Sequence, residues 1–290
     1  MFITSRDGVH LHVKDLGKGH PVILIHGWPL TGDMWEYQKV TLLESGYRVI
    51  TYDRRGFGQS THGVEGFNYD ALADDLSAII HKLDEPCFSL VGFSMGGGEV
   101  ARYMARYGSA RIDRVALVSS VVPYMLKDDS SPHGVEAPVF EDIKKQLYAD
   151  RFDFLQNFTK NFYGIGKAPK TVSNGILDWT FALAMMAEPI ATIKCVDAFA
   201  NTDFRPDLEK IDVPTLIIHG TADDIVPIDA SARAAAAGIA CSRLIEYDGE
   251  PHGLFATAAE RLSNDLLTFL DGDMEMPGTE RATVCEPIEA

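Results

Sequence analysis

Short β-branched runs recur along the chain, each running into a Gly-rich or polar turn and, in most cases, a stretch that reads as helix. Residues 22–25 lead into His26-Gly27, 48–52 into Asp53-Arg-Arg-Gly-Phe-Gly58, and 88–91 into Gly92. The pattern repeats at 114–118 before Ser119-Ser120, at 215–218 before His219-Gly220, and at 243–247 before Asp248-Gly249. Runs so short and so apolar suit strands buried on both faces. The alternation therefore predicts an α/β fold, a mostly parallel sheet with helices on both faces. Helices are predicted near residues 69–83, 97–107 and 230–237.

The alternation stops between residues 122 and 214, a stretch rich in aromatics from Phe140 to Phe204 at helix-like spacings. This region is expected to form a helical layer with its own small core, acting as a lid over an apolar pocket. Which aromatics face that pocket is not legible. The expected organisation is a core over residues 1–122, a helical cap over 123–210, the rest of the core over 211–271, and an acidic, disordered tail over 272–290.

Charge narrows the function classes. Lys and Arg number 26 against 42 Asp and Glu, a net charge of −16 in 290 residues. Such a surface repels phosphate backbones and anionic lipid, which argues against nucleic-acid or membrane partners. No apolar run approaches the roughly 20 residues that cross a bilayer, and the first residues predict no signal peptide. The cysteines at 87, 195, 241 and 285 show no C-x-x-C spacing. They suit a reducing, cytoplasmic setting, with Cys87 and Cys195 read as core residues.

Gly92-Phe-Ser94-Met-Gly96 follows one predicted strand and precedes a predicted helix. In that context the pattern reads as a nucleophile elbow: a serine on a tight turn, small residues beside it, and a helix N-terminus behind it. A serine hydroxyl needs a base. Of nine histidines, His252 lies in the loop after the last strand, where the chain order serine, acid, histidine requires it. The strand ends His26 and His219 read instead as structural hydrogen-bonding residues. The acid that holds the imidazole should lie in Gly220-Thr-Ala-Asp-Asp-Ile-Val-Pro227, where spacing favours Asp223 over Asp224 without excluding the latter. Donors for a developing oxyanion should be the backbone N–H of Met95 and that of Trp28 in the loop after the first core strand, since Pro29 has none.

His26-Gly-Trp-Pro-Leu30, Tyr52-Asp-Arg-Arg-Gly-Phe-Gly-Gln-Ser60 and Gly92-Phe-Ser-Met-Gly96 together resemble the α/β-hydrolase fold. They look most like its branch of cofactor-free haloperoxidases (non-haem chloroperoxidases), aryl esterases and perhydrolases. The resemblance continues through Glu99-Val-Ala-Arg-Tyr103, Thr202-Asp-Phe-Arg205, Ile211-Asp-Val-Pro214 and Pro251-His-Gly253, covering about residues 1–271. It implies Ser94 as nucleophile, Asp223 as acid, His252 as base, and Trp28 and Met95 as oxyanion donors. It also implies a proline at position 29 that tunes the loop toward hydrogen peroxide.

The expected activity is hydrolysis of carboxylic esters through an acyl-enzyme, with peracid formed when peroxide replaces water. The partners are a small ester, or a short carboxylic acid plus hydrogen peroxide. No cofactor and no metal are implied, and the resemblance leaves room for a homo-oligomer. A lactonase or an amidase/lactamase would use the same triad, and a non-catalytic small-molecule receptor could share the fold.

Overall fold

The computed structural model describes residues 1–167 and 172–277. The chain opens with strands β1 (Phe2–Thr4), β2 (His10–Leu16) and β3 (Pro21–Ile25), then helix α1 (Glu36–Glu44) and β4 (Arg48–Tyr52). Next come α2 (Tyr69–Leu83), β5 (Phe88–Phe93), α3 (Met95–Tyr107) and β6 (Ile112–Val118). Among the described residues, four helices follow without a strand: α4 (Ala137–Phe162), α5 (Asn174–Met185), α6 (Pro189–Asn201) and α7 (Arg205–Leu208). The chain then returns to β7 (Thr215–Gly220), α8 (Ala232–Gly238), β8 (Ser242–Tyr247), α9 (Leu254–Thr257) and α10 (Ala259–Leu270).

The eight strands form one sheet in the order β1-β2-β4-β3-β5-β6-β7-β8. β2 pairs antiparallel with both β1 and β4, and every pairing from β4 across to β8 is parallel. Every residue of β3, β5 and β7 is buried, as expected where helices cover both faces. The crossovers explain the covering. From β3 the chain moves one way along the sheet through α1; from β4 through α2, and from β5 through α3, it moves the other way. Right-handed crossovers then place α1 opposite α2 and α3. α2 packs against α3, and α10 returns to lie beside α1.

This topology also positions a site. Loops after adjacent β3 and β5 leave in opposite directions, which opens a crevice at the carboxyl edge of the sheet. Parallel strands bring the loops after β7 and β8 to the same edge.

Local chemistry accounts for the helix boundaries. Asn68 caps α2 by accepting the Ala71 N–H, and Asp84 ends it in a left-handed turn at φ 52°. Ser173 caps α5 in the same way, and proline occupies the first turn of α4 and α6. α4 is two arms. At Asp150 the backbone leaves helical geometry (φ −154°, ψ 90°), and its carboxylate accepts the Phe152 and Asp153 N–H groups, so it starts the second arm as a cap.

Some sequence expectations need correction. Cys195 and Cys241 are buried thiols, but Cys87 is half-buried at the foot of β5 and disulfide-bonded rather than a core thiol. Of residues 272–277, Met276 is buried and the Glu275 carbonyl accepts a hydrogen bond from Arg243, while Gly272, Asp273, Glu275 and Pro277 are exposed. The remaining tail, 278–290, lies outside the described residues. No single described helix is long and apolar enough to cross a membrane.

A Cβ on Gly92, at the end of β5, would stand 2.6 Å from the Gly96 carbonyl oxygen and 2.7 Å from the Gly97 nitrogen, both backbone atoms. Gly92→Ala is expected to cost about 2 kcal/mol or more, read from the urea midpoint. An unchanged midpoint would show that the strand and helix can separate at this junction without cost.

Candidate active site

Between β5 and α3 a single residue, Ser94, makes the turn with φ 52° and ψ −119°. A side chain in this region costs about 1–3 kcal/mol and persists only where its surroundings dictate it. Here the Ser94 N–H donates to the Val118 carbonyl (2.9 Å), and the Ser94 carbonyl accepts the Gly97 N–H (3.0 Å). Close packing beneath needs small residues: a Cβ on Gly96 would lie 2.6 Å from the Ile25 carbonyl oxygen. The turn leaves Ser94 Oγ 3.0 Å from His252 Nε2.

His252 sits in the loop after β8, its ring packed between Phe93 and Phe162 with centroids at 5.0 and 4.9 Å. The Gly253 N–H donates to the Phe162 carbonyl at 2.8 Å, tying this loop to the end of α4. His252 Nδ1 lies 2.7 Å from Asp223 Oδ2. A carboxylate only accepts, so the proton belongs on Nδ1, and Nε2 is left to accept from the serine hydroxyl.

Asp223 occupies the turn after β7. Its Oδ1 accepts the Ile225 and Val226 N–H groups at 2.9 and 2.8 Å. Burial alone would raise this carboxyl. The neighbouring His252 and His219 imidazoles outweigh burial and hold it well below the usual carboxylate range. The neighbouring Asp224 points elsewhere, into an exposed ion pair with Lys167 at 3.0 Å. Of the two candidate acids, Asp223 is the one that reaches the imidazole.

The loop after β3 lies directly over this turn. A Cβ on Gly27 would stand 2.6 Å from the Phe93 ring and 3.1 Å from the Ser94 Cβ, so only glycine allows the approach. Trp28 follows it, and its indole N–H donates to the Thr192 carbonyl of α6 at 3.0 Å. Met95 is the first residue of α3, so its N–H has no carbonyl acceptor one turn earlier within that helix. Pro29 is buried in the turn and outside the cavity lining; its neighbour Trp28 does line the cavity.

Behind the loop lies a buried polar network that sequence reading did not connect to the site. Arg54 and Glu99 form a fully buried ion pair, and the Tyr52 hydroxyl donates to the same carboxylate at 2.6 Å. The Arg54 guanidinium also donates to the His26 carbonyl (2.6 Å), and its backbone N–H donates to His26 Nε2 (2.9 Å). Burial, and the Arg54 charge beside it, push the His26 imidazole well below its ordinary value, so it stays neutral. Glu99 belongs to α3 and His26 opens the donor loop. The ion pair thus ties the helix that starts beside Ser94 to the loop that carries Trp28. The signal was present in Tyr52-Asp-Arg-Arg55, but only the sheet shows that Arg54 points inward.

Above the serine is a cavity of about 310 Å³ reached by Ser94, His252 and Trp28. The aromatics whose facing was not legible now sort themselves. Phe140, Phe154, Phe158 and Phe199 line the cavity, Phe152 is exposed at the α4 kink, and Phe204 is buried against Tyr69. Trp28 packs edge-on against Phe158 and Phe199 at 5.2 and 5.7 Å. Among the described residues, no cluster of three or more His, Cys, Asp or Glu is arranged to hold a metal ion.

This strand order, with a strained serine after β5 and a histidine after β8, defines a class. The chain belongs to the α/β-hydrolase fold family, whose match spans residues 20–259. Within it, the chain is 42% identical over 272 residues to the non-heme chloroperoxidase CPO-A1 of Kitasatospora aureofaciens, covering 92% of this chain and 98% of that one. It is 40% identical over 273 residues to the bifunctional esterase/perhydrolase DCH of Acinetobacter calcoaceticus, covering 93% and 99%. The structure of a bromoperoxidase from Bacillus anthracis superposes with a TM-score of 0.90 at 43% identity, over 93% of this chain and 99% of that one.

Two outcomes follow from this geometry. Glu99→Ala strands the Arg54 charge in the core and is expected to cost about 3–5 kcal/mol by urea unfolding; a loss below about 1 kcal/mol would show that the pair does not hold the loop to the helix. Asp223, depressed in the fold, contributes stability that is complete above its unfolded value near pH 4 and is lost only as pH falls from there through its folded value. On acidification from neutral pH, near-UV circular dichroism should therefore stay native until the pH falls to about 4. Loss of the native signal well above that pH would contradict this.

Proposed function

We propose that this protein is a serine hydrolase of carboxylic esters that also forms peracids with hydrogen peroxide. The observation that carries the reading is the unbroken series Ser94 Oγ, His252 Nε2, His252 Nδ1, Asp223 Oδ2, with contacts of 3.0 and 2.7 Å at the base of an apolar cavity. The relatives named chloroperoxidase and esterase/perhydrolase support the same chemistry.

Ser94 attacks the ester carbonyl as its proton passes to His252, and Asp223 stabilises the imidazolium that forms. The N–H groups of Trp28 and Met95 hold the carbonyl oxygen as it becomes an anion. Collapse releases the alcohol, which takes the proton from His252, and leaves an acyl group on Ser94. Water, deprotonated by His252, then releases the acid; hydrogen peroxide entering the same way releases a peracid. A peracid oxidises bromide in solution, giving hypobromous acid and the parent carboxylic acid, so halogenation needs no halide site on the protein. In this reading α4–α7 act as the cap that shapes the acyl pocket, and Pro29 acts through Trp28 on the choice between water and peroxide.

Ser94→Ala is expected to abolish the burst of chromophore from a p-nitrophenyl ester and to lower kcat by at least about 10⁴-fold. Retained turnover would overturn the reading. Pro29→Leu is expected to lower peroxide-dependent bromination in acetate buffer several-fold more than ester hydrolysis. If both rates move together, Pro29 has no part in choosing the nucleophile.

A further inference from the structure

His219, near the end of β7, is 1% exposed, and its Nε2 faces two acceptors: the Val226 carbonyl oxygen at 2.9 Å and Asp223 Oδ2 at 3.1 Å. Its other ring nitrogen, Nδ1, finds no partner among the described residues although it is buried. Two acceptors on one side and none on the other fix the tautomer: the proton sits on Nε2 and is donated to the Val226 carbonyl, with the Asp223 carboxylate oxygen beside it. Asp223 Oδ2 therefore lies against two imidazoles, hydrogen-bonded to His252 Nδ1 and 3.1 Å from His219 Nε2, while Oδ1 takes two backbone N–H groups.

We propose that His219 is a positioning residue of the reaction, holding the Asp223 carboxylate in register with His252 and drawing off part of the charge that His252 feels. The proposal rests on the reading of Asp223 as the acid of the triad. Two geometric consequences support it. His219 ties both ends of the Asp223–Val226 turn, because the Val226 N–H binds Asp223 Oδ1 while the Val226 carbonyl binds His219. An imidazole N–H lying beside a carboxylate oxygen also offsets part of its charge and makes it a weaker acceptor for His252. His252 then gives up its proton more readily to the leaving alcohol than it would without His219. Among the described residues, Glu246 also bears on His219 as its register partner on β8, and it is engaged by Arg233 at the surface.

The test has two parts. In the wild-type protein labelled with ¹⁵N-histidine, NMR should show His219 as the Nε2–H tautomer; an Nδ1–H tautomer overturns the proposal whatever the variants do. In His219→Phe, which keeps a ring but no donor, kcat for ester hydrolysis should fall about tenfold with KM within about twofold. The acid limb of kcat/KM should move up by about half a pH unit, because the undivided Asp223 charge lets His252 keep its proton longer. His219→Gln, which restores an N–H, should recover part of both effects, and neither effect should appear in an Asp223→Asn background. A native fold by near-UV circular dichroism with an unmoved or lowered acid limb means that His219 only packs, and the proposal fails. Inactive Ser94→Ala beside an unmoved limb in His219→Phe sinks this inference alone; active Ser94→Ala sinks the reading beneath it.

Discussion

A hydrogen bond between groups 158 residues apart, from Ser94 to His252, sets the terms for everything else in the structure. Neither loop could hold its partner alone. The parallel pairing of β5 through β6 and β7 to β8 delivers both loops to one edge of the sheet, and the pairing registers fix how far each projects. The Asp223 turn reaches the same edge from β7, between them. The sheet's buried strands are thus a rigid ruler, and the chemistry depends on atoms placed at its end to within a few tenths of an ångström.

Holding that edge requires costly features elsewhere. Ser94 keeps a positive φ because its own carbonyl and N–H are both bonded, and Gly92, Gly96 and Gly27 remove the side chains that would push the loops apart. The Arg54–Glu99 pair is fully desolvated, which rarely adds net stability compared with a packed apolar pair. Its value lies in connection: it joins α3, the helix that starts beside Ser94, to the loop after β3 that carries Trp28. The aromatic layer completes the site from above. Phe162 contacts the His252 imidazole by its ring and Gly253 by its carbonyl, while α6 grips Trp28 through Thr192.

The central architecture was legible because its signals are local. Fully apolar runs such as 22–25 and 88–91 have few alternatives to a buried strand, and a serine between such a run and a helix has few alternatives to a tight elbow. Position in the chain then singled out His252. The choice between Asp223 and Asp224 lay beyond spacing, since adjacent loop residues differ only in which way each points; the backbone N–H groups of Ile225 and Val226 decide that by gripping Asp223. The facing of the cap aromatics was hidden for a related reason. The break at Asp150 changes the helical phase between Phe140 and Phe154, so no single periodicity runs through α4. His219 was visible as a structural residue four positions before Asp223, but its approach to the acid depends on a turn that folds the chain back on itself.

The central claim is that Ser94 carries the acyl group between two half-reactions. Its most direct test is to quench the enzyme in acid during turnover of a slow p-nitrophenyl ester and to map the modified peptide by mass spectrometry. The account predicts one added acyl mass, on Ser94, which disappears when hydrogen peroxide is supplied before the quench. Turnover with no covalent adduct, or with the added mass on another residue, would contradict it.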